Sequence, residues 1–380
     1  LISSEKTAAL RFLYVTIFLT STSAGTVSFL LSVYAEELGA DYIQLGLIGA
    51  VGSVAYTTMT LISGLLLDRF HRVKIYWVFS LLVAAAVLMF SMARGVVDLM
   101  IIRALLEGSS ATFWITASTL TAEISPPEIL TTSIGRYNIS WIVGFIVGPL
   151  FGGVISDEFG FPFLFVILST FAAVSAVIIR GSLFSIKLGK RAPKGGFDLS
   201  ALKGIRLALL TIVPYSTVLG VYMAILPGYM KGLGISSSVI GLLLTMTNGV
   251  RGLGFLNVKR FVDWSERNSL GLASCLISVA LFVISFSTSI LGFAVPLVMF
   301  GLAGGIITPI ILNYIARNSR QESLGTVMGI HEFVYSSGIL IGPAVGGIIA
   351  EAYQPSTLYL MLSAVSLAIL PLSRSLKERA

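Results

Sequence analysis

Twelve long apolar stretches, separated by short polar loops, run the length of the chain. They cover approximately 9–35, 43–67, 73–93, 97–122, 130–155, 161–180, 206–230, 239–258, 269–288, 291–316, 324–350 and 356–373. About 20 consecutive apolar residues are enough for a helix to cross a bilayer. The pattern therefore predicts an all-α polytopic membrane protein with twelve transmembrane helices. The longest hydrophilic stretch, 181–205, holds Lys187, Lys190, Arg191, Lys194 and Lys203 among Gly and Pro. The predicted organisation is a six-helix bundle over 1–182, a cytoplasmic linker over 183–205 and a second six-helix bundle over 206–380.

Loop charge predicts the orientation. Loops on one side hold Arg69, Arg72, Lys74, the linker lysines, Lys259, Arg260, Arg267, Arg317 and Arg320, with Arg374, Lys377 and Arg379 in the tail. The other side holds only Arg94 and Lys231, against Glu36, Glu37, Asp41, Asp98, Asp157, Glu158 and Glu351. The positive-inside rule then places both termini and the linker in the cytoplasm.

The spans repeat. Gly135, Gly144, Gly148, Pro149, Gly152 and Gly153 in span five recur at an offset of 194 (329 − 135) as Gly329, Gly338, Gly342, Pro343, Gly346 and Gly347 in span eleven. Gly25, Tyr34, Leu38, Gly39 and Gly46 recur at an offset of 195 (220 − 25) as Gly220, Tyr229, Leu233, Gly234 and Gly241. Six spans per half make the two repeats parallel, the arrangement of carriers whose halves move about a shared central site. Glycines spaced in this way let helices approach closely, and Pro149 removes one backbone hydrogen bond.

Composition agrees with the bilayer and narrows little else. The chain is 56% hydrophobic and 11% charged, with mean hydropathy +0.94; soluble domains carry about 25% charged residues. A net charge of +7 suggests nucleic acid as a partner, but the basic residues lie in short loops between apolar runs, which excludes that reading. The single cysteine, Cys275, excludes an internal disulfide. The first apolar run is long enough to span and no small-residue cleavage site follows it, so it reads as a span and not a signal peptide. The chain begins at Leu1 and not Met, which points to further residues ahead of it.

The motifs resemble those of the major facilitator superfamily, in its drug:proton antiporter branch. After span two, Gly64, Asp68, Arg69, Arg72 and Lys74 are similar to that family's signature loop Gly-x3-Asp-Arg-x-Gly-x-Arg-Lys, with His71 in place of the second Gly. In the second half Asp263 and Arg267 keep two of these positions without the Gly. The resemblance implies a conformational switch in which Asp68 pairs with Arg72 or with a neighbouring helix. The glycine motif of span five resembles the family's antiporter signature, which implies a role in export against protons; its second copy in span eleven is equally what a packing repeat produces. Arg103-Ala-Leu-Leu-Glu107-Gly108 resembles the family's Arg-x-x-x-Gly helix with the Gly one residue late, and implies a link to proton transfer. The segment Glu123-Ile-Ser-Pro126-Pro127-Glu128 resembles the family's loop between spans four and five.

Charges within spans cost at least ~2.5 kcal/mol each and so mark candidate functional groups. They are Arg103 and Glu107 in span four, Arg136 in span five, Arg251 in span eight, and His331 and Glu332 in span eleven. Spans three, six, nine and twelve carry none, as expected of an outer scaffold in the family fold. Arg103 and Glu107, four apart, share a helical face, and Glu107 lies roughly 15 Å into its span. Desolvation opposes its charge while Arg103 favours it, the balance a proton-coupled carrier needs; a satisfied ion pair is the alternative. Glu332 and His331 stand where the first half has Asn138 and Tyr137. Together Glu107, Arg103, Glu332 and His331 are the proton-coupling candidates. Arg251 is expected to pair with Glu332 or to receive an anionic substrate. Arg136 is expected to snorkel to the surface.

The substrate-cavity candidates are Arg251, Tyr137, Asn138, Trp114, Trp141, Tyr215, Asn248, Asn313 and Tyr335, with Tyr56, Tyr222 and Tyr314 on the same spans. Pro214 and Pro309 are candidate hinges. No metal-binding, nucleophile or nucleotide-binding motif appears, so the expectation is a transporter and not an enzyme, with no metal or cofactor and the proton gradient as its energy source. The expected partners are a small-molecule substrate, protons and the lipid of the cell membrane, with the protein a monomer. The leading reading is proton-coupled multidrug efflux of a small amphipathic molecule by alternating access. The alternatives are proton-coupled uptake or uniport of an organic anion or nutrient, and a non-transporting receptor.

Overall fold

In hydrocarbon every backbone N–H and C=O must be satisfied within the segment, so apolar runs of this length fold as helices. The computed structural model describes residues 4–186, 205–319 and 324–376, and all regular structure among them is helical. The helices are α1 (Ser4–Glu37), α2 (Tyr42–Arg69), α3 (Arg72–Phe90), α4 (Val96–Ile124), α5 (Leu130–Phe159), α6 (Phe161–Ser182), α7 (Arg206–Ala224) and α8 (Leu226–Gly232). They continue as α9 (Ser237–Leu256), α10 (Val258–Trp264), α11 (Glu266–Ser285), α12 (Ile290–Arg317), α13 (Leu324–Tyr353), α14 (Pro355–Ser366) and α15 (Ile369–Arg374). The linker cations Lys187, Lys190, Arg191, Lys194 and Lys203, and Arg320, Lys377 and Arg379, lie outside the described residues.

Eleven membrane spans among the described residues are long and apolar enough to cross a bilayer, and α4 is the twelfth long helix. Arg103, Glu107 and a run of hydroxyl residues keep α4 short of the apolarity of the rest. The predicted seventh span is two helices, because the chain breaks at Ile225 and Pro227 opens α8. The twelfth breaks between α14 and α15. Helices α5, α7, α12 and α13 run unbroken through Pro149, Pro214, Pro296, Pro309 and Pro343. Gly39 and Gly234, at φ +80° and +82°, end α1 and α8 in the left-handed conformation that glycine adopts without strain.

The chain divides into two compact units. Among the described residues, the first holds α1, α2 from Val51 onward, α3 to α6, and Ser236–Thr245 at the start of α9. The second holds Asp41–Ala50 at the start of α2, then α7, α8, α9 from Met246, and α10 to α15.

In the first unit α1 is the central helix, packed on α5, α6 and α4. Leu13, Ile17, Tyr76, Phe113 and Ile179 build its buried core. Hydroxyls join the helices: Thr16 Oγ1 and Tyr76 Oη are 2.9 Å apart, and Ser63 Oγ and Thr112 Oγ1 2.7 Å apart. The duplicated glycine motif packs helices on two edges. Along one edge Gly144, Gly148 and Gly152 of α5 lie against Ser21, Thr22, Thr26 and Leu30 of α1. On the other edge Gly153 lies against Ser237, and the backbone at Pro149 against Gly241 of α9.

The second unit repeats this. Gly338 and Gly342 of α13 lie against Ser216 and Thr217 of α7, and Gly346 against Val221 and Ile225. Gly347 lies against Tyr42, and the backbone at Pro343 against Gly46 of α2. A Cβ at Gly144, Gly148, Gly153, Gly338, Gly342 or Gly347 would meet backbone of the neighbouring helix, so the contact distance there requires glycine, whereas at Gly152 and Gly346 it would meet side chains. Gly135 and Gly329 have open space beside them and take no part. Even single bonds recur: Ser80 donates to the Ala172 carbonyl at 3.4 Å, and Ser274, its counterpart in the repeat, to the Ser366 carbonyl at 2.8 Å.

Candidate functional site

In the first unit α4 brings Arg103 and Glu107 together as the spacing predicts. Nη2 of Arg103 lies 2.8 Å from Oε1 of Glu107, with both side chains largely buried. The guanidinium Nε and Nη1 have no hydrogen-bond partner among the described residues. Gly52 of α2 makes the room: a Cβ there would lie 2.9 Å from Arg103 Nε and 3.1 Å from Glu107 Cγ. Nothing in the sequence pattern marks Gly52; only the position of α2 against α4 does.

The other first-unit candidates stand elsewhere on α4, α5 and α2. Trp114, Tyr137 and Trp141 pack against the buried core. Trp114 meets Phe113 edge-on at 5.0 Å, and Trp141 lies 4.9 Å from Phe145. Asn138 and Arg136 are exposed on α5, and Tyr56 is half-buried on α2.

The second unit assembles a different cluster, around Arg251 on α9. Arg251 shares a hydrogen bond with Tyr335 of α13, and the hydroxyl-bearing rings of Tyr215 and Tyr222 on α7 are close enough to feel its charge. The Phe255 ring lies 5.5 Å from its Cζ. Tyr335 stacks on His331 with centroids 6.0 Å apart, and Tyr215 on Phe300 at 6.3 Å. The expected Arg251–Glu332 pair does not form: Glu332 is exposed on α13, and the phenols occupy the neighbourhood of the guanidinium. Asn248, one turn before Arg251, is buried, whereas Asn313 is exposed on α12. Tyr314 is buried and lies beside the Arg317 guanidinium.

The loop motif resolves into clamps. Arg72 Nη1 bonds Glu123 Oε1 at 2.6 Å, which ties the start of α3 to the end of α4. Asp68 and Arg69 are exposed at the end of α2, with half-buried Gly64 a turn earlier. In the second unit Arg317 Nη2 bonds Glu266 Oε2 at 2.8 Å. Counted from the first residues of α3 and α11, an offset of 194 (266 − 72) sets Glu266 at the place of Arg72 and Arg317 at that of Glu123, so the joint carries the ion pair with its sign reversed; the preceding loop runs at 195, which is how Arg267 keeps the motif position of Arg72. Arg267 instead donates from Nε and Nη2 to the Leu376 carbonyl, and Asp263 is exposed on α10.

Sequence reasoning missed two carboxylates. Asp157, near the end of α5, accepts bonds from the amides of Ser237 at 3.0 Å and Ser238 at 2.7 Å, and from the Ser238 hydroxyl. Glu351, near the end of α13, accepts one from the Tyr42 amide at 3.0 Å. Each carboxylate caps the N-terminus of another helix, α9 and α2 respectively. Their spacing equals the offset of the glycine motifs, and that is the signal that would have paired them. Cys275 is exposed on α11, and among the described residues no group of three His, Cys, Asp or Glu is placed to hold a metal ion.

A duplicated all-helical membrane protein, with ionised side chains held inside its spans and no extended soluble region among the described residues, has the construction of a solute transporter. The family model for the Major Facilitator Superfamily matches residues 13–213 and 207–379. The chain belongs to the Major Facilitator Superfamily, and it is a multi-pass membrane transporter. It is 22% identical over 367 residues to an uncharacterised MFS-type transporter of Methanocaldococcus jannaschii, covering 94% of this chain and 95% of that one. It is 25% identical over 353 residues to the multidrug resistance protein MdtG of Salmonella choleraesuis, covering 88% and 87%. Its fold is that of a crystallised mutant of the nucleoside transporter NupG, with TM-score 0.83 at 11% identity over 97% of this chain and 99% of that one.

Proposed function

We propose that this protein is a secondary active transporter of the plasma membrane that exports a small organic, amphipathic molecule in exchange for protons by alternating access. The observation that carries the reading is the Arg103–Glu107 ion pair in the middle of α4. A carboxylate in that position has one ionised partner and little water, so gain of a proton removes the attraction and frees the guanidinium for another anion or dipole. That exchange is what couples a proton to a change of shape. Similarity to a protein named for multidrug resistance supports a small organic substrate and the direction of export. The loop-charge bias supports cytoplasmic termini. On this reading the proton gradient is the energy source, no metal or cofactor takes part, no reaction is catalysed, and the monomer is the working unit.

The test is Glu107→Gln in proteoliposomes with an imposed pH gradient. The variant is expected to fold and bind substrate while losing substrate-driven proton movement. Proton exchange at the wild-type rate would remove Glu107 from the mechanism. A second reading, uptake or uniport of an organic anion or nutrient, is favoured by Arg251, which has no carboxylate partner within ion-pair distance among the described residues. The direction of proton movement on adding substrate separates the two.

A further inference from the structure

We infer that Arg251 and Tyr215 form a recognition site for the anionic group of the transported molecule, and that the substrates of this protein are small organic anions carrying an apolar body. The inference rests on the transporter reading above and narrows its substrate class.

A guanidinium within a span is expensive unless a counter-charge is supplied. Arg103, Arg72 and Arg317 each have one, at 2.8, 2.6 and 2.8 Å. Arg251 has none among the described residues. Its neighbours are the hydroxyl of Tyr335, the face of Phe255, and the rings of Tyr215 and Tyr222. Phenols and a π-face solvate a cation without neutralising it.

Two polar atoms remain unused at one place. Arg251 Nε and Tyr215 Oη both lack hydrogen-bond partners among the described residues, and Tyr215 is fully buried. Both lie against Gly304 of α12: a Cβ there would sit 2.6 Å from Tyr215 Oη and 3.6 Å from Arg251 Nε. The absence of a side chain at Gly304 lets the Tyr215 hydroxyl close on the α12 backbone beside Arg251 Nε, so the two unpartnered donors stand next to each other. One turn from Arg251 on the same helical face, the buried Nδ2 of Asn248 is a further donor without a partner. Nε–H, the phenol O–H and the amide N–H all donate, and a guanidinium has no acceptor. A carboxylate, sulfonate or phosphonate satisfies such a set by accepting only and by supplying the missing charge, in the planar fork geometry that guanidinium groups prefer. An ammonium group is repelled there, and a neutral amide leaves the charge uncompensated. Half-buried Phe255 and Tyr335 flank the guanidinium and supply aromatic surface for the body of the ligand.

The test uses three probes of one shape, 2-naphthoate, 2-naphthamide and 2-naphthylmethylammonium, titrated calorimetrically into the full-length protein in lipid nanodiscs. Wild type is expected to bind the naphthoate about tenfold more tightly than the amide, the effect of one charge-assisted contact, and the ammonium least. Arg251→Gln is expected to erase that preference and Arg251→Lys to keep part of it. Tyr215→Phe, which retains the ring on Phe300, is expected to weaken naphthoate several-fold and leave the amide unchanged. A wild type without preference for the anion, or a folded Arg251→Gln protein that retains it, overturns the inference. Should Arg251→Gln fail to fold, an unchanged naphthoate affinity in Tyr215→Phe overturns it equally. Proton release by each probe in proteoliposomes is read separately. Anion preference without proton movement keeps this site and sinks the coupling role of Glu107; proton exchange driven by the ammonium probe, without anion preference, does the reverse.

Discussion

Replacing Asp157 with Ala should loosen the first turn of α9 without disturbing α5. The carboxylate takes up two of the four backbone N–H groups that a helix start leaves without partners, those of Ser237 and Ser238. Loss of a capping acceptor costs typically about 1 kcal/mol. Removing a negative charge from a helix N-terminus adds about 0.3 kcal/mol, the low end of the range because Asp157 is solvent-exposed. The sum is roughly 1.3 kcal/mol, equivalent to about tenfold in the opening equilibrium. Hydrogen exchange in nanodiscs should therefore speed up about tenfold at the amides from Ser237 to Ile240, with α5 unchanged. Glu351→Ala provides the internal comparison. Its carboxylate accepts one amide only, and α2 keeps the reciprocal bonds of Asp41 and Gln44 at 2.7 and 3.1 Å. The change at Tyr42 should be about threefold or less, as a cost under about 0.7 kcal/mol implies. Equal effects in the two variants, or no change at Ser237 and Ser238 in Asp157→Ala, would refute the capping account.

Gln354 has φ 76° and ψ 152°, a conformation natural to glycine, and Gly160, its counterpart in the first half, holds the same turn at φ 81°. Gln354→Gly should therefore raise stability by about 1 kcal/mol, visible as a higher unfolding temperature in detergent, and a lower one would disprove the strain. Arg72→Glu or Glu123→Arg alone should destabilise the first unit by about 1–3 kcal/mol, by setting like charges together in a largely buried joint. The double exchange copies the order that Glu266 and Arg317 already use, so it should recover at least half of the loss. A double variant no more stable than the two singles combined would show that the orientation of the pair matters.

Much of the fold was legible because the bilayer leaves few choices. Apolar runs of spanning length become helices, and a glycine motif recurring half a chain later declares two related bundles. Breaks were less legible. Pro227 ends α7 and opens α8, while Pro149 and Pro309 pass through unbroken helices, and the sequence around each gives no distinguishing mark. Of the charged candidates, Arg103 and Glu107 were predictable because four-residue spacing within one helix fixes their proximity. Arg251 with Tyr335, and Arg72 with Glu123, join different helices, and the choice among available carboxylates depends on packing that no local pattern encodes. The same holds for Gly52 and Gly304, whose importance lies in which polar side chain lies against them.

The two units separate what serves packing from what serves chemistry. At the joints between α3 and α4 and between α11 and α12 the ion pair persists while its sign inverts, Arg72 with Glu123 in one unit and Glu266 with Arg317 in the other. A contact that tolerates inversion is needed only for its attraction. The glycine edges and the Ser80 and Ser274 bonds persist without change, as close packing requires. The mid-span charges behave in the opposite way. Where the first unit has Arg103 and Glu107, the second has Leu297 and Gly301, the latter packed on the backbone of Thr247. Where the second has Arg251, His331 and Tyr335, the first has Tyr56, Tyr137 and Trp141. A mid-span charge is costly wherever it stands, and a structural need would have kept it in both copies, as it kept the joints. Its presence in one copy at a time is what the two proposals above require of a division of labour, proton coupling assigned to the Arg103–Glu107 pair of the first unit and anion binding to Arg251 of the second. On that division Glu107→Gln should abolish proton coupling and spare anion binding, and Arg251→Gln should do the reverse; a variant of either residue that removed both together would show that the two clusters act as one site.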